Sequence, residues 1–295
     1  MCGVPLTASN QSSEHVFPRW LQNRYDLWDR KLMLFNRTAI RYGELKIASC
    51  RDCNGSVLAP IESAVAESAA TGYEAFAALD EITLFLWITK IHYGINFKET
   101  QLSADRSQRD AAAILSDDQI RYFKHLHLFL QSARFPLYFG NFTPWSIFRF
   151  RLHPSDSPER NFLYRDHLPS NVVSIRMGEM GVVACLLDNG ELDRKWGATL
   201  ARVARAGVKD FQFLEISARI AYESTLIADE RRYTIVAHRD GLEAHVLRDH
   251  TPVSFSGWVN RDYAQYLAEY WGRDIEWLFG PMGIRSSLQG LLPSS

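Results

Sequence analysis

The stretch SSEHVFPRWL, residues 12–21, sets an acid and an imidazole, Glu14 and His15, against the apolar run Val16, Phe17, Pro18, Trp20 and Leu21. A second stretch, CRDCN at 50–54, carries two thiols three positions apart and an amide beside the second. Cys50-x-x-Cys53 is the spacing with which two thiolates grip one metal ion, and also the spacing of a redox pair. A redox pair usually opens a helix after a thioredoxin-like strand; here Arg51-Asp52 fill the gap and Asn54 follows, which favours metal. Zinc held at this turn would fix Asn54 in space. If the chain around His15 pairs with the strand leading to Cys50, then Glu14, His15 and Asn54 converge. Glu14 and Asn54 would offer hard oxygen ligands to Mg²⁺ or Mn²⁺. His15, with an unperturbed pKa near ~6.5, would stay free to take a proton from water. The cation would stabilise charge on a scissile phosphate and its leaving oxygen. Such a set makes a one-metal phosphodiesterase.

Several elements must position these groups. Leu21, Tyr25, Trp28, Leu32 and Phe35 recur at spacings of four and three and predict a helix between the two motifs. Residues 38–49 read as extended chain with a break at Gly43, and Pro60 suits the first turn of an Ala-rich helix that follows Asn54. Residues 76–97 predict one long apolar helix, and 107–132 another with Asp117-Asp118 at an internal start. From Phe135 the texture changes to strands: LYFGNF, SIFRFRL, VVSIRM, GVVACLL, FQFLEIS and RYTIVAHRDGLEAHVL. Asp188-Asn189-Gly190 and Arg239-Asp240-Gly241 are turn signals between apolar runs. Residues 261–279 predict a final amphipathic helix. There is no internal repeat and no low-complexity linker.

The chain has 295 residues, 46% of them apolar, so it can bury a sizeable core in one large domain or two ordinary ones. No apolar run approaches the ~18 residues of a membrane span, and no signal peptide is visible, so a cytoplasmic protein is expected. Net charge is −1, yet residues 19–51 hold eight basic and three acidic side chains, 8 − 3 = +5. That local excess suits phosphate contacts, or a solvated helix face. Four cysteines are too few for a secreted disulfide scaffold, and Cys185, inside GVVACLL, reads as core. His238, His245 and His250 read as hairpin side chains, since no cysteine or paired acid joins them at ligand spacing. His125 and His127 read as ordinary helix residues, and the aromatics of 135–150 as core.

The pattern Glu-His-Val-Phe-Pro-x-Trp-Leu followed by Cys-x-x-Cys-Asn resembles the HNH (ββα-metal) endonucleases, in the four-cysteine zinc branch similar to endonuclease VII, over about residues 2–67. The resemblance implies His15 as general base, Glu14 and Asn54 as ligands of the catalytic ion, Cys50 and Cys53 as structural zinc ligands, and Glu62 as an accessory acid. The family carries a Cys-x-x-Cys before its acid–His pair. Cys2-Gly3 matches the second half of that motif, and the first cysteine would fall upstream of Met1. For the chain as given, Cys2, Cys50 and Cys53 would form a three-cysteine site completed by water or another side chain. The 50 − 15 = 35 residues from His15 to Cys50 form a tolerable insertion, because the two strands need only meet again.

An α+β protein is therefore expected, with an HNH-like nuclease module over 1–72, a helical middle, and a β-rich C-terminal half ending in a helix. The stretch 73–295 would choose the substrate or partner. The expected activity is metal-dependent hydrolysis of DNA, with RNA as a further substrate class. The rivals are a zinc-knuckle protein that binds nucleic acid without cutting, and a protein that docks a partner in a bacterial defence or mobile-element system.

Overall fold

The computed structural model describes residues 2–102, 117–140, 142–155, 157–228, 232–247, 253–280 and 283–288. The chain is α+β, as expected, and forms two compact units. The first comprises residues 1–138 with 235–244, the second 139–234 with 245–295. The stretch 1–72 lies within the first unit, which also holds the helices that follow it.

The first unit opens with β1 (Gln11–His15), α1 (Arg19–Arg24), β2 (Lys31–Met33), β3 (Ala39–Arg41) and β4 (Lys46–Cys50). β1 and β4 pair antiparallel, with Gln11 opposite Cys50, Glu14 opposite Ile47 and His15 opposite Lys46. The pairing on which convergence of the two motifs depended is therefore present. The expected helix over 21–35 is not. α1 ends at Tyr25, and Asp26 takes a left-handed φ of 49°. The Trp28 indole N–H then donates to Asn23 Oδ1 at 2.7 Å, turning the chain back instead of onward. β2 and β3 form a hairpin from the remainder, Lys31 facing Arg41. Gly43 is required there: a Cβ would stand 2.7 Å from the Trp28 ring.

Helical backbone begins directly after β4, passes through a widened π-type segment at Cys53–Leu58, and continues as α2 (Ala59–Thr71). Pro60 sits in the first turn of α2, where its missing N–H costs nothing. The apolar run of 76–97 is divided. α3 (Tyr73–Ala77) stops before Asp80, whose carboxylate accepts the Thr83 N–H at 2.9 Å and caps α4 (Glu81–Glu99). Of the helix expected over 107–132, the described part is α5 (Asp117–Leu130); residues 107–116 lie outside the described residues. α4 is buried nearly all round, and its Gly94 lets β1 approach closely, since a Cβ would meet Val16 Cγ2 at 2.8 Å.

β5 (Leu137–Phe139) leads to the second unit. There β6 (Ser146–Arg151), β7 (Phe162–His167), β8 (Val172–Met177) and β9 (Met180–Cys185) form an antiparallel sheet ordered β6-β9-β8-β7. Every residue of β8 and β9 is buried, and Cys185 is a core residue as read. The strand-rich reading of this half needs correction, because helices α6 (Glu191–Arg205) and α7 (Asp210–Thr225) pack against the sheet. FQFLEIS lies in α7, not in a strand. Phe213, Ile216 and Ile220 bury one helical stripe, and the Lys209 N–H is held by Gln212 Oε1 at 2.9 Å where the helix opens. Asp188-Asn189-Gly190 likewise turns the chain into a helix, with Asn189 and Gly190 both left-handed.

β10 (Arg232–His238) and β11 (Gly241–Leu247) form the hairpin marked by Arg239-Asp240-Gly241, in a sheet ordered β10-β11-β5. His238 faces Glu243 across it at 3.0 Å, as a hairpin side chain should; His250 lies outside the described residues. The final helix is shorter than expected. α8 (Asn260–Trp271) ends at left-handed Gly272, and α9 (Ile275–Leu278), β12 (Phe279–Gly280) and β13 (Gly283–Ile284) follow. No helix among the described residues is long and apolar enough to cross a membrane.

Candidate metal centre and hydrolytic site

Cys2, Cys50 and Cys53 come together where β4 turns into helix, and their sulfurs all lie within 4.8 Å of one another. Cys2 Sγ and Cys50 Sγ are 3.5 Å apart, close to the ~3.8 Å that two thiolates show on one tetrahedral ion with Zn–S near ~2.3 Å. The Cys53 backbone N–H points at Cys50 Sγ at 3.4 Å, so the turn itself supports the sulfur. A backbone N–H, that of Val4, with the neighbouring thiols lowers Cys2 to about 7, whereas burial pushes Cys53 up to about 12. A soft divalent ion would bring all three to the thiolate. The cluster could hold a metal such as zinc.

The strand pleat separates the acid and the imidazole of the Glu14-His15 pair, because successive side chains point to opposite faces. Ser12 and Glu14 share one face. Asn54, on the first helical turn after Cys53, reaches that same face and donates Nδ2 to Ser12 Oγ at 3.1 Å. His15 lies on the other face with Lys46. Its ring meets Trp28 edge-on at 5.7 Å, and it is 8% exposed. Burial first, then Lys46, Arg19 and Lys90, depress its pKa to about 4. The imidazole is therefore neutral at pH 7 and set among cations.

The residue that sequence reading missed is Lys90 of α4. Its ammonium lies 2.5 Å from Glu14 Oε1 and is also paired with Glu62. It donates further to the backbone carbonyls of His15 at 2.8 Å and Val16 at 3.3 Å. Four oxygens thus surround one buried ammonium. Gly94 lies one helical turn from Lys90, and the close approach it allows at Val16 brings β1 within the lysine's reach. Burial raises Glu14 above the ordinary carboxylate range, and the Lys90 charge opposes that shift. A cleft beside the cluster is lined by Glu14, Ile47, Lys90, Tyr93 and Phe97. The sequence did carry a signal for this lysine: a lone cation in the buried run ITLFLWITKIHYGI must find an acid.

Removing that cation has a calculable sign. Lys90→Met leaves two carboxylates facing each other with no counter-charge, which costs about 3–5 kcal/mol of unfolding free energy near pH 7.5. Burial already raises the folded-state Glu14 pKa and the Lys90 charge opposes that shift, so without the ammonium it rises further above its unfolded value. The deficit should therefore shrink as pH falls toward 5 and Glu14 takes a proton. Chemical denaturation at the two pH values reads the effect. A Lys90→Met protein as stable as the parent at pH 7.5 would show that the ammonium is not the counter-charge.

Arg19 and Lys46, part of the basic excess of residues 19–51, are the cations that act on His15. The first unit thus brings together the three sulfurs at one end of the β1–β4 pair, Asn54 and Glu14 on one strand face, and Glu62 with Glu14 around Lys90. No protein-family model, curated protein or solved structure matches this chain.

Proposed function

We propose that the first unit is an HNH-type, ββα-metal endonuclease module of the four-cysteine zinc branch, which hydrolyses phosphodiester bonds of DNA. One observation carries the reading. The cysteine cluster sits at the end of an antiparallel strand pair whose first strand ends in Glu14-His15, and whose second runs through Cys50 directly into the helix bearing Asn54. Two strands and a helix stapled by sulfur are what this chemistry needs, because they hold the acid, the amide and the imidazole on rigid backbone.

Cys2, Cys50 and Cys53 would hold zinc as a structural ion. Glu14 and Asn54, with Glu62 beside them, would hold a single Mg²⁺ or Mn²⁺. Glu14 and Glu62 set two carboxyl groups around the single amine of Lys90, so the oxygens there outnumber the one nitrogen. When bound, such an ion supplies Lewis-acid stabilisation of charge on the phosphate. His15, which the pleat sets on the face opposite Glu14 and Asn54, would accept the proton of the attacking water where β1 ends and its side chain can turn toward the ion. Lys46 and Arg19, which depress its pKa in the free protein, also attract the phosphate anion, and the arriving negative charge raises the imidazole's basicity where it is needed.

The test is nicking of supercoiled plasmid by the zinc-loaded protein. Nicking should require Mg²⁺ or Mn²⁺, stop on brief treatment with EDTA, and return when Mg²⁺ is restored. Full cleavage in EDTA would eliminate the mechanism. A second reading draws on the Lys90–Glu14 pair, which engages the acid that the catalytic ion would use. In that reading the module keeps its zinc and binds nucleic acid or a protein partner without cutting, and nicking stays absent under every metal.

A further inference from the structure

The second unit carries a concave surface of different chemistry. Phe211, Trp271 and Trp277 line a cavity of about 840 Å³ together with Arg273 and Arg285, and among the described residues no carboxylate lines it. The rings are set as walls: Phe211 meets Trp271 edge-on at 5.7 Å, and Trp271 meets Trp277 at 6.3 Å and 64°. Trp277 is 47% exposed and Phe211 41%, unusual for side chains this large. The surface is also built. The Trp271 indole N–H donates to the Phe211 carbonyl at 3.1 Å, so this ring is pinned. Arg285 donates Nε to the Trp277 carbonyl at 2.9 Å, which fixes the guanidinium and, among the described residues, leaves both terminal nitrogens for a ligand. Arg273 and Arg285 sit 5.6 and 5.0 Å from the Trp277 ring centre.

We infer that this cavity binds single-stranded nucleic acid, taking an unstacked base against Trp277 and Trp271 and the adjoining phosphates on Arg273 and Arg285. The walls are mainly aromatic, and Ile284 is the one aliphatic side chain among the described lining residues. Aromatic faces next to fixed guanidiniums supply the two things a nucleotide offers partners for, a π-face and an anion. A duplex hides its base faces in the stack and cannot use such walls. The inference extends the hydrolytic reading to a different unit and stands independently of it, because binding can be measured without any catalytic ion.

Fluorescence anisotropy of a labelled 15-nucleotide oligothymidylate tests it, with the full-length, zinc-loaded protein and no added Mg²⁺ or Mn²⁺. The parent should bind, and a 15-bp duplex should compete poorly. Trp277→Ala should weaken binding by about tenfold or more, while Trp277→Phe keeps most of the affinity. Arg273→Ala with Arg285→Ala should weaken it and flatten the slope of log K against log salt by about 1.4. All three proteins should melt like the parent, since these side chains lie at the surface. Parent protein that fails to bind, or Trp277→Ala and the arginine variant binding as the parent does, overturns the proposal and leaves the nuclease test untouched. Trp277-dependent binding to phosphatidylserine vesicles with no effect on the oligonucleotide would also overturn it.

Discussion

Cys50→Ala is expected to yield a protein that retains little zinc and whose first unit no longer unfolds cooperatively. Cys50 is the hub of the cluster: its sulfur lies 3.5 Å from that of Cys2 and accepts the Cys53 N–H. The same residue ends β4 opposite Gln11 and passes the chain into the helix. Removing it leaves at most two thiols, one half-buried and one buried, on a turn that sulfur had closed. Metal binding at a structural zinc site is folding free energy, of order ~10 kcal/mol in small zinc modules, far more than an antiparallel strand pair of five residue pairs supplies. The loss should appear as substoichiometric zinc by metal analysis and as a broadened, lowered melting transition. The second unit has its own sheet and core, so its transition should survive. A Cys50→Ala protein with the parent's zinc content and melting curve would remove the cluster from the account.

His15→Ala should separate chemistry from structure. A general base contributes roughly 10²- to 10⁴-fold in rate, so nicking should fall by at least about a hundredfold. Zinc content should not change, because none of the sulfurs is touched. Stability should fall by only about 1 kcal/mol, the worth of an edge-on ring contact such as that with Trp28. pH supplies an independent check. His15 is depressed to about 4 in the folded chain against an unfolded value near ~6.5. Its contribution to stability is therefore complete above pH 6.5 and is lost as pH falls toward 4. The stability difference between parent and His15→Ala should shrink over that window and reverse before pH 4. A difference independent of pH would mean that the imidazole is not held neutral by burial.

How much of this was legible beforehand follows from the range of the interactions. The cysteine cluster and the β1–β4 pairing were readable because each rests on a short motif whose spacing is itself the chemistry. Glu14 and His15 were readable as residues but not as geometry: a strand sends neighbours to opposite faces, so which group meets which partner depended on what packs on each side. Lys90 closes a contact over 90 − 14 = 76 residues, and no local pattern names its partner. The helix expected over 21–35 failed at Asp26, where one left-handed residue and the Trp28–Asn23 bond outweighed a regular apolar spacing. FQFLEIS failed because seven residues are too short a window to tell alternation from one helical stripe. Extending the window to Ile220 shows the stripe, Phe213, Ile216 and Ile220 at spacings of three and four. Leu192, Trp196, Leu200 and Val203, spaced by four, four and three, mark α6 equally well.

Glu14 and Asn54 on one face of the strand pair, and His15 at the end of β1 on the other, are proposed to act together in hydrolysis with His15 as the base. The most direct measurement is the initial rate of plasmid nicking by parent and His15→Ala side by side in Mg²⁺, on preparations shown to carry equal zinc. Metal-dependent nicking by the parent is expected, with a rate at least about a hundredfold lower for the variant. Equal rates would contradict the role of His15, and absence of nicking by the parent in both Mg²⁺ and Mn²⁺ would contradict the hydrolytic claim itself.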